Sequence, residues 1–224
     1  MRKRIFKISI ALNVLFVLFV AVFATAYFHR RFLGRILVLD KYYERRKSFF
    51  HRFPVAPGDV VFLGDSITDE CRWCELFPEA RVRNRGILDD TTSLVLNRLD
   101  QVTAGKPAKV FLLIGTNDLG ARTPEEEIVR NYRCILAAFK EKSPGTQVFV
   151  QSVLPRSAKY KERVEALNAE LFVLAKHFGY VYIDLYPEFL GCDGSIDNQY
   201  SFDELHLNGA GYKKWRKLIT PYVY

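Results

Sequence analysis

Four residues from three distant segments have the types needed to open an ester: Ser66, Asn117, Asp203 and His206. Ser66 lies in "VVFLGDSITDE", Val60 to Glu70, where four apolar residues run into Gly64-Asp65-Ser66. A serine just past the C-terminal end of a parallel strand stands where open α/β sheets bind ligands. Gly, Asp and Ser also make ordinary turns, so the hydroxyl needs a base before it means anything. Of the other imidazoles, His29 and His51 lie in the N-terminal segment, and His177 near a helix C-terminus reads as a dipole partner. His206, in "SFDELHLNGAGY", has a carboxylate three residues before it. Asp203 could accept the Nδ1 proton and fix the tautomer, leaving Nε2 to take the proton of Ser66 Oγ. Asn117, in "GTND", offers an amide donor to a developing oxyanion.

Those residues need a sheet to bring them together. After Pro57 the chain alternates short apolar runs with helical stretches. Residues 59–64, 81–87, 109–115, 147–155 and 180–187 read as five strands, the second ("RVRNRGI") the poorest and suited to an edge. Residues 92–102, 123–142 and 158–179 have helical apolar spacing, and "NGAGYKKWRKLITPYV" closes the chain as a last helix. The alternation predicts a three-layer α/β/α sandwich on a five-stranded, doubly wound parallel sheet. Its first and third strands end at Ser66 and Asn117.

The blocks "GDSIT", "GTND" and "DELH", with "SVLPR" between them, resemble the SGNH (GDSL-type) hydrolases. The similarity is strongest to the branch holding platelet-activating-factor acetylhydrolase catalytic subunits and bacterial carbohydrate O-acetylesterases. It spans roughly residues 58–222. It implies a flavodoxin-like sheet and ester hydrolysis without metal or cofactor. By the same resemblance Ser66 matches the nucleophile, His206 the base, Asp203 its orienter and Asn117 a side-chain oxyanion donor. The Ser66 backbone N–H is a second donor. The substrate implied is a small-molecule ester with a short acyl group, acetyl first, on a carbohydrate or, alternatively, a lysophospholipid.

The second block departs from the family pattern. Where the family has glycine before the Asp of a "GDTT"-like run, supplying the third oxyanion N–H, this chain reads "GILDDTT" with Asp89 in that place. A backbone N–H survives the change, but a non-glycine residue resists positive φ, and a carboxylate near an oxyanion repels it unless turned to solvent. A non-catalytic glycan-binding module is the rival reading if that hole is spoiled. Trp73 could wall an acyl or sugar pocket, or simply pack in the core. Asp69, Leu119 and Leu205 are further candidates for the pocket rim.

The formal charge of +8 is unevenly spread. Residues 1–53 hold 12 Lys/Arg against 2 Asp/Glu, and residues 54–224 hold 21 against 23. The basic excess therefore belongs to the N-terminus, which favours a membrane surface over nucleic acid. Residues 8–28, "ISIALNVLFVLFVAVFATAYF", carry no charge and would span a bilayer's hydrocarbon core as helix. A transmembrane signal-anchor is expected over residues 1–28, with a cleaved signal ending at Ala24-Thr25-Ala26 as the competitor. An anchor of this kind puts the catalytic part outside the cytoplasmic membrane. Residues 29–56 read as a basic, aromatic linker, either at headgroup level or solvated. The hydrolase domain is expected over 57–224. Cys71-x-x-Cys74 is too isolated for a zinc site. Cys134 reads as a small core residue on a helix.

Overall fold

A computed structural model describes the backbone of residues 2–224 and the side chains of 16–25, 27, 29, 30 and 37–224. Helix α1 runs Arg2–Arg52. The chain divides into two units, Met1–Glu44 and Arg45–Tyr224. In the first, the described residues Phe16, Val17, Phe19, Val22 and Phe23 are each more than half exposed. The expected anchor over 1–28 and its Ala24-Thr25-Ala26 motif fall partly outside the described residues. Among those described, no helix is long and apolar enough to cross a membrane.

The second unit starts earlier than the expected boundary at residue 57. Its elements follow in order: β1 (Val60–Gly64), α2 (Ser66–Asp69), α3 (Trp73–Leu76), β2 (Val82–Gly86), α4 (Thr92–Arg98), α5 (Asp100–Thr103), β3 (Lys109–Leu113), α6 (Thr116–Gly120), α7 (Glu125–Lys142), β4 (Gln147–Gln151), α8 (Lys161–Phe178), β5 (Val181–Ile183), α9 (Tyr186–Phe189) and α10 (Gly209–Val223). The sheet order is β2-β1-β3-β4-β5, every pair parallel. The poorest strand, β2, is at an edge as its sequence predicts.

Side chains alternate across the strands, and the two faces collect separate cores. Val61, Leu63, Val110, Leu112, Val148 and Val150 pack with α4, α7 and α8 residues such as Tyr132, Ile135 and Leu171. Val60, Phe62, Phe111, Leu113 and Phe149 pack on the other side with Trp73, Phe77, Trp215 and Ile219. Helix α7 starts with Glu125, Glu126 and Glu127 and ends with Lys140 and Lys142, charges that complement its dipole. Its buried stripe is Ile128, Tyr132, Ile135, Leu136 and Phe139, and Cys134 falls off that stripe. Cys134 is therefore exposed rather than a core residue, and all four cysteines are free thiols.

Parallel pairing in this order points the C-terminal ends of β1, β2 and β3 the same way. The turns after them carry Ser66, Asp89 and Asn117.

Candidate active site

The turn after β1 is built around Asp65. Its carboxylate caps α2, accepting the Ile67 N–H at 3.0 Å. Asp65 is fully buried, and burial, with Asp90 and Asp118 nearby, pushes its carboxyl up to about 8 against the pull of the Ile67 N–H. Ser66 is the first residue of α2 and is 3% exposed. Its backbone N–H has no acceptor among the described residues, as expected at a helix start.

Ser66 Oγ lies 3.0 Å from His206 Nε2, across 140 residues of sequence. His206 Nδ1 lies 2.7 Å from Asp203 Oδ2. The other oxygen of Asp203 accepts the backbone N–H groups of His206 at 2.8 Å and Leu205 at 3.1 Å. Burial alone would raise the Asp203 carboxyl, but hydrogen bonds from the His206 ring and backbone, the electrostatic pull of that ring and the Leu205 N–H outweigh it and hold it at about 2. Asp203 is thus ionised at neutral pH and accepts from Nδ1–H. That tautomer leaves Nε2 as the acceptor facing the Ser66 hydroxyl. The tight loop is closed by Glu204, whose φ is 61°. Ser201 Oγ donates to Asp203 Oδ1 at 3.3 Å, and Asn208 caps α10 just beyond.

The amide of Asn117 donates to Asp90 O at 2.9 Å, which ties the turn after β3 to the turn after β2. The Asp90 carboxylate takes two bonds from Arg98, at 2.8 and 2.6 Å, with both side chains fully buried. Burial raises the Asp90 carboxyl to about 6 despite Arg98. Arg98 Nη2 also donates to Arg85 O at 2.9 Å and Gly64 O at 3.2 Å. One guanidinium therefore holds the ends of β1 and β2 and the turn between β2 and α4. On its other side that turn is held by Asp118, which accepts the Thr92 hydroxyl at 2.6 Å.

Asp89 has a φ of 67°, so the turn does require the left-handed region. Its side chain is exposed, and its N–H has no partner among the described residues. The repulsion that a carboxylate here could cause is relieved by solvent.

The expected pocket rim fares less well. Trp73 is 1% exposed and stacks on Phe62 with centroids 3.6 Å apart, its Nε1–H donating to Thr68 O. Trp73 is a core residue and walls no pocket. Leu119 is fully buried in the core of the opposite face. Asp69 turns away to pair with Arg46 at 2.7 Å. Leu205 is half-buried beside His206. Sequence reasoning missed Asp90, Arg98, Arg46 and Asn84, polar groups whose partners lie on other segments.

A family model for the GDSL-like lipase/acylhydrolase family matches residues 62–214. The alpha1 subunit of platelet-activating factor acetylhydrolase IB from Bos taurus is 33% identical over 183 residues, covering 75% of this chain and 78% of that protein. The alpha2 subunit from Rattus norvegicus is 32% identical, covering 70% and 72%. A solved GDSL-like lipase from Bacteroides thetaiotaomicron superposes with a TM-score of 0.72 at 24% identity, covering 81% of this chain and 96% of that one. An acetylxylan esterase from Geobacillus stearothermophilus shares the fold, with a TM-score of 0.62 at 17% identity, covering 75% and 95%. With a serine turn, an imidazole and a carboxylate in hydrogen-bonded series on such a sheet, the chain belongs to the GDSL-like lipase/acylhydrolase family and is a carboxylic ester hydrolase.

Proposed function

We propose that this chain hydrolyses short-chain esters, acetyl first, through a Ser66-His206-Asp203 triad. The observation that carries the reading is the unbroken series Ser66 Oγ, His206 Nε2 at 3.0 Å, and His206 Nδ1 to Asp203 at 2.7 Å. Ser66 Oγ attacks the ester carbonyl as His206 takes its proton. The oxyanion is met by the N–H groups of Ser66 and Asp89 and by the second amide hydrogen of Asn117. His206 then protonates the leaving alcohol, and water resolves the acyl-enzyme by the same path. Asp203 stays ionised throughout and stabilises the imidazolium.

The alcohol proposed is a carbohydrate hydroxyl, although Trp73, now in the core, no longer supports that reading. An acetylated lipid is the second reading, favoured by the relatives named for platelet-activating factor and by the exposed apolar residues of α1. The same proposal attaches the enzyme to a membrane through residues 8–28, with the hydrolase domain on the extracytoplasmic side. A non-catalytic glycan-binding role is what remains if Ser66 proves inert.

The test is turnover of p-nitrophenyl acetate, butyrate and octanoate by the full chain beside Ser66→Ala. Acetylated xylo-oligosaccharides and vesicles carrying a 2-acetyl phospholipid then separate the two alcohols. Acetate turnover that vanishes in Ser66→Ala supports the proposal. Equal inertness of both proteins on every ester refutes it.

A further inference from the structure

Asp69 closes α2, the short helix that opens with Ser66. Its carboxylate meets Arg46 Nη2 at 2.7 Å, and its side chain is only 8% exposed. The same nitrogen reaches Gly86 O at 3.3 Å, at the end of β2 where the chain enters the Asp89 turn. One guanidinium thus spans the two segments that hold the serine and the backbone donor at Asp89.

The surroundings hold that guanidinium in place. It lies 4.9 Å from the centroid of the Phe50 ring, and Phe50 is buried. Arg85 and Arg98 approach the same ring at 4.5 and 5.7 Å. Arg98 is the residue that ties together the strand ends. Around α2 there is little slack. A Cβ on Gly86 would stand 2.3 Å from Asp69 N. Asn84 Nδ2 donates to the carbonyls of Thr68, Asp69 and Cys71 at 2.9–3.1 Å. Neutral groups thus hold the backbone of α2, and Arg46 adds charge at its end.

We propose that Arg46 is a positioning residue for ester hydrolysis, acting through Asp69 and Gly86 to hold the Ser66 and Asp89 turns at a fixed separation. The end of α1 is then part of the support of the active site and not a linker. The proposal rests on the nucleophilic role of Ser66 given above.

The experiment compares full-length wild type with Arg46→Gln, Arg46→Lys, Asp69→Asn and the Arg46→Gln/Asp69→Asn pair. Arg52→Gln, an exposed charge on the same helix, is the control. Readouts are kcat and KM on p-nitrophenyl acetate per folded molecule, and amide hydrogen exchange over residues 65–70 and 87–91. Arg46→Gln should lower kcat by about tenfold or more, because small misplacement of a nucleophile is costly. KM should stay within about twofold if geometry rather than binding is lost. Exchange should quicken in both segments. Arg46→Lys should restore part of kcat, and the double variant should be slower by less than the product of the two single effects, since each breaks the shared Arg46–Asp69 contact. The control should match wild type. Wild-type kcat with unchanged exchange in Arg46→Gln overturns the proposal, even if its melting temperature falls. If Ser66→Ala turns over ester as fast as wild type, the nucleophile assignment fails instead. Exchange then decides alone: unchanged rates in Arg46→Gln overturn the bridge, and quicker rates in both segments uphold it.

Discussion

At Asp89 a residue with a Cβ occupies backbone that glycine adopts freely, with a φ of 67°. Asp tolerates this region better than most residues, because its short side chain can bond locally, but it still bears part of a cost of roughly 1–2 kcal/mol. Asp89→Gly should therefore keep the turn and leave stability equal or up to about 1 kcal/mol higher, with activity retained. Asp89→Val, β-branched at positive φ, should lose both. Chemical denaturation and acetate turnover of the two variants check this.

Asp65 makes a second prediction at the same scale. Its carboxyl is raised by burial to about 8 from an ordinary 3.8. A folded value above the unfolded one gives stability that is complete below pH 4 and is lost as pH rises through 8. The slope for one proton is about 1.4 kcal/mol per pH unit. Asn at this position does not titrate, and its carbonyl can still accept the Ile67 N–H. The melting temperature of Asp65→Asn should fall less than that of wild type between pH 5 and 8.5. Parallel curves would show that Asp65 does not titrate in that window.

Among the elements, the contact of β2 with α2 governs the site most directly. Gly86 is required by close approach: a Cβ would meet Asp69 N at 2.3 Å and Asp69 Cα at 2.6 Å, both backbone. Gly86→Ala must push α2 away, so it should destabilise by about 1–3 kcal/mol, the usual range for overpacking. It should also slow acetate turnover more than Ala substitution at exposed Gly145, where a Cβ meets nothing within 4 Å. The five strands were legible because short apolar runs, β-branching and flanking turn residues agree. The C-terminal limit of the first was also legible, but those of β3, β4 and β5 were set too late. The apolar run after β4 continues to Leu154, but Val153 gives its N–H to the Asn168 side chain and so leaves the ladder. The hydrogen-bonded series of Ser66, His206 and Asp203 was legible because few imidazoles exist and one has a carboxylate three residues away. The rim was misread because aromatic and aliphatic residues near an active-site turn look alike whether they face the cavity or the core. Trp73 and Leu119 face the core.

At the scale of the molecule, charge alone hid the role of residues 45–53. A stretch rich in Lys and Arg reads as solvated, yet Phe50 within it is 1% exposed, and the Phe53 carbonyl accepts Arg85 at 2.6 Å. Removing residues 1–44 should leave the second unit folded and the esterase active. Removing 1–53 should cost about 3–5 kcal/mol, the scale of losing a buried phenylalanine, and most of the activity with it. Urea titration and turnover of the two truncated chains distinguish these outcomes.

The arginines at the end of β2 have one further effect. This strand has a neighbour on one side only, and open strand edges invite pairing with another chain. Here Gly86 O is taken by Arg46 and Asn84 O by the Arg85 guanidinium. A foreign strand seeking those carbonyls must first displace cations that are already hydrogen-bonded, and it would meet their positive charge as it came. The groups that brace the Ser66 and Asp89 turns thus also occupy this border of the sheet.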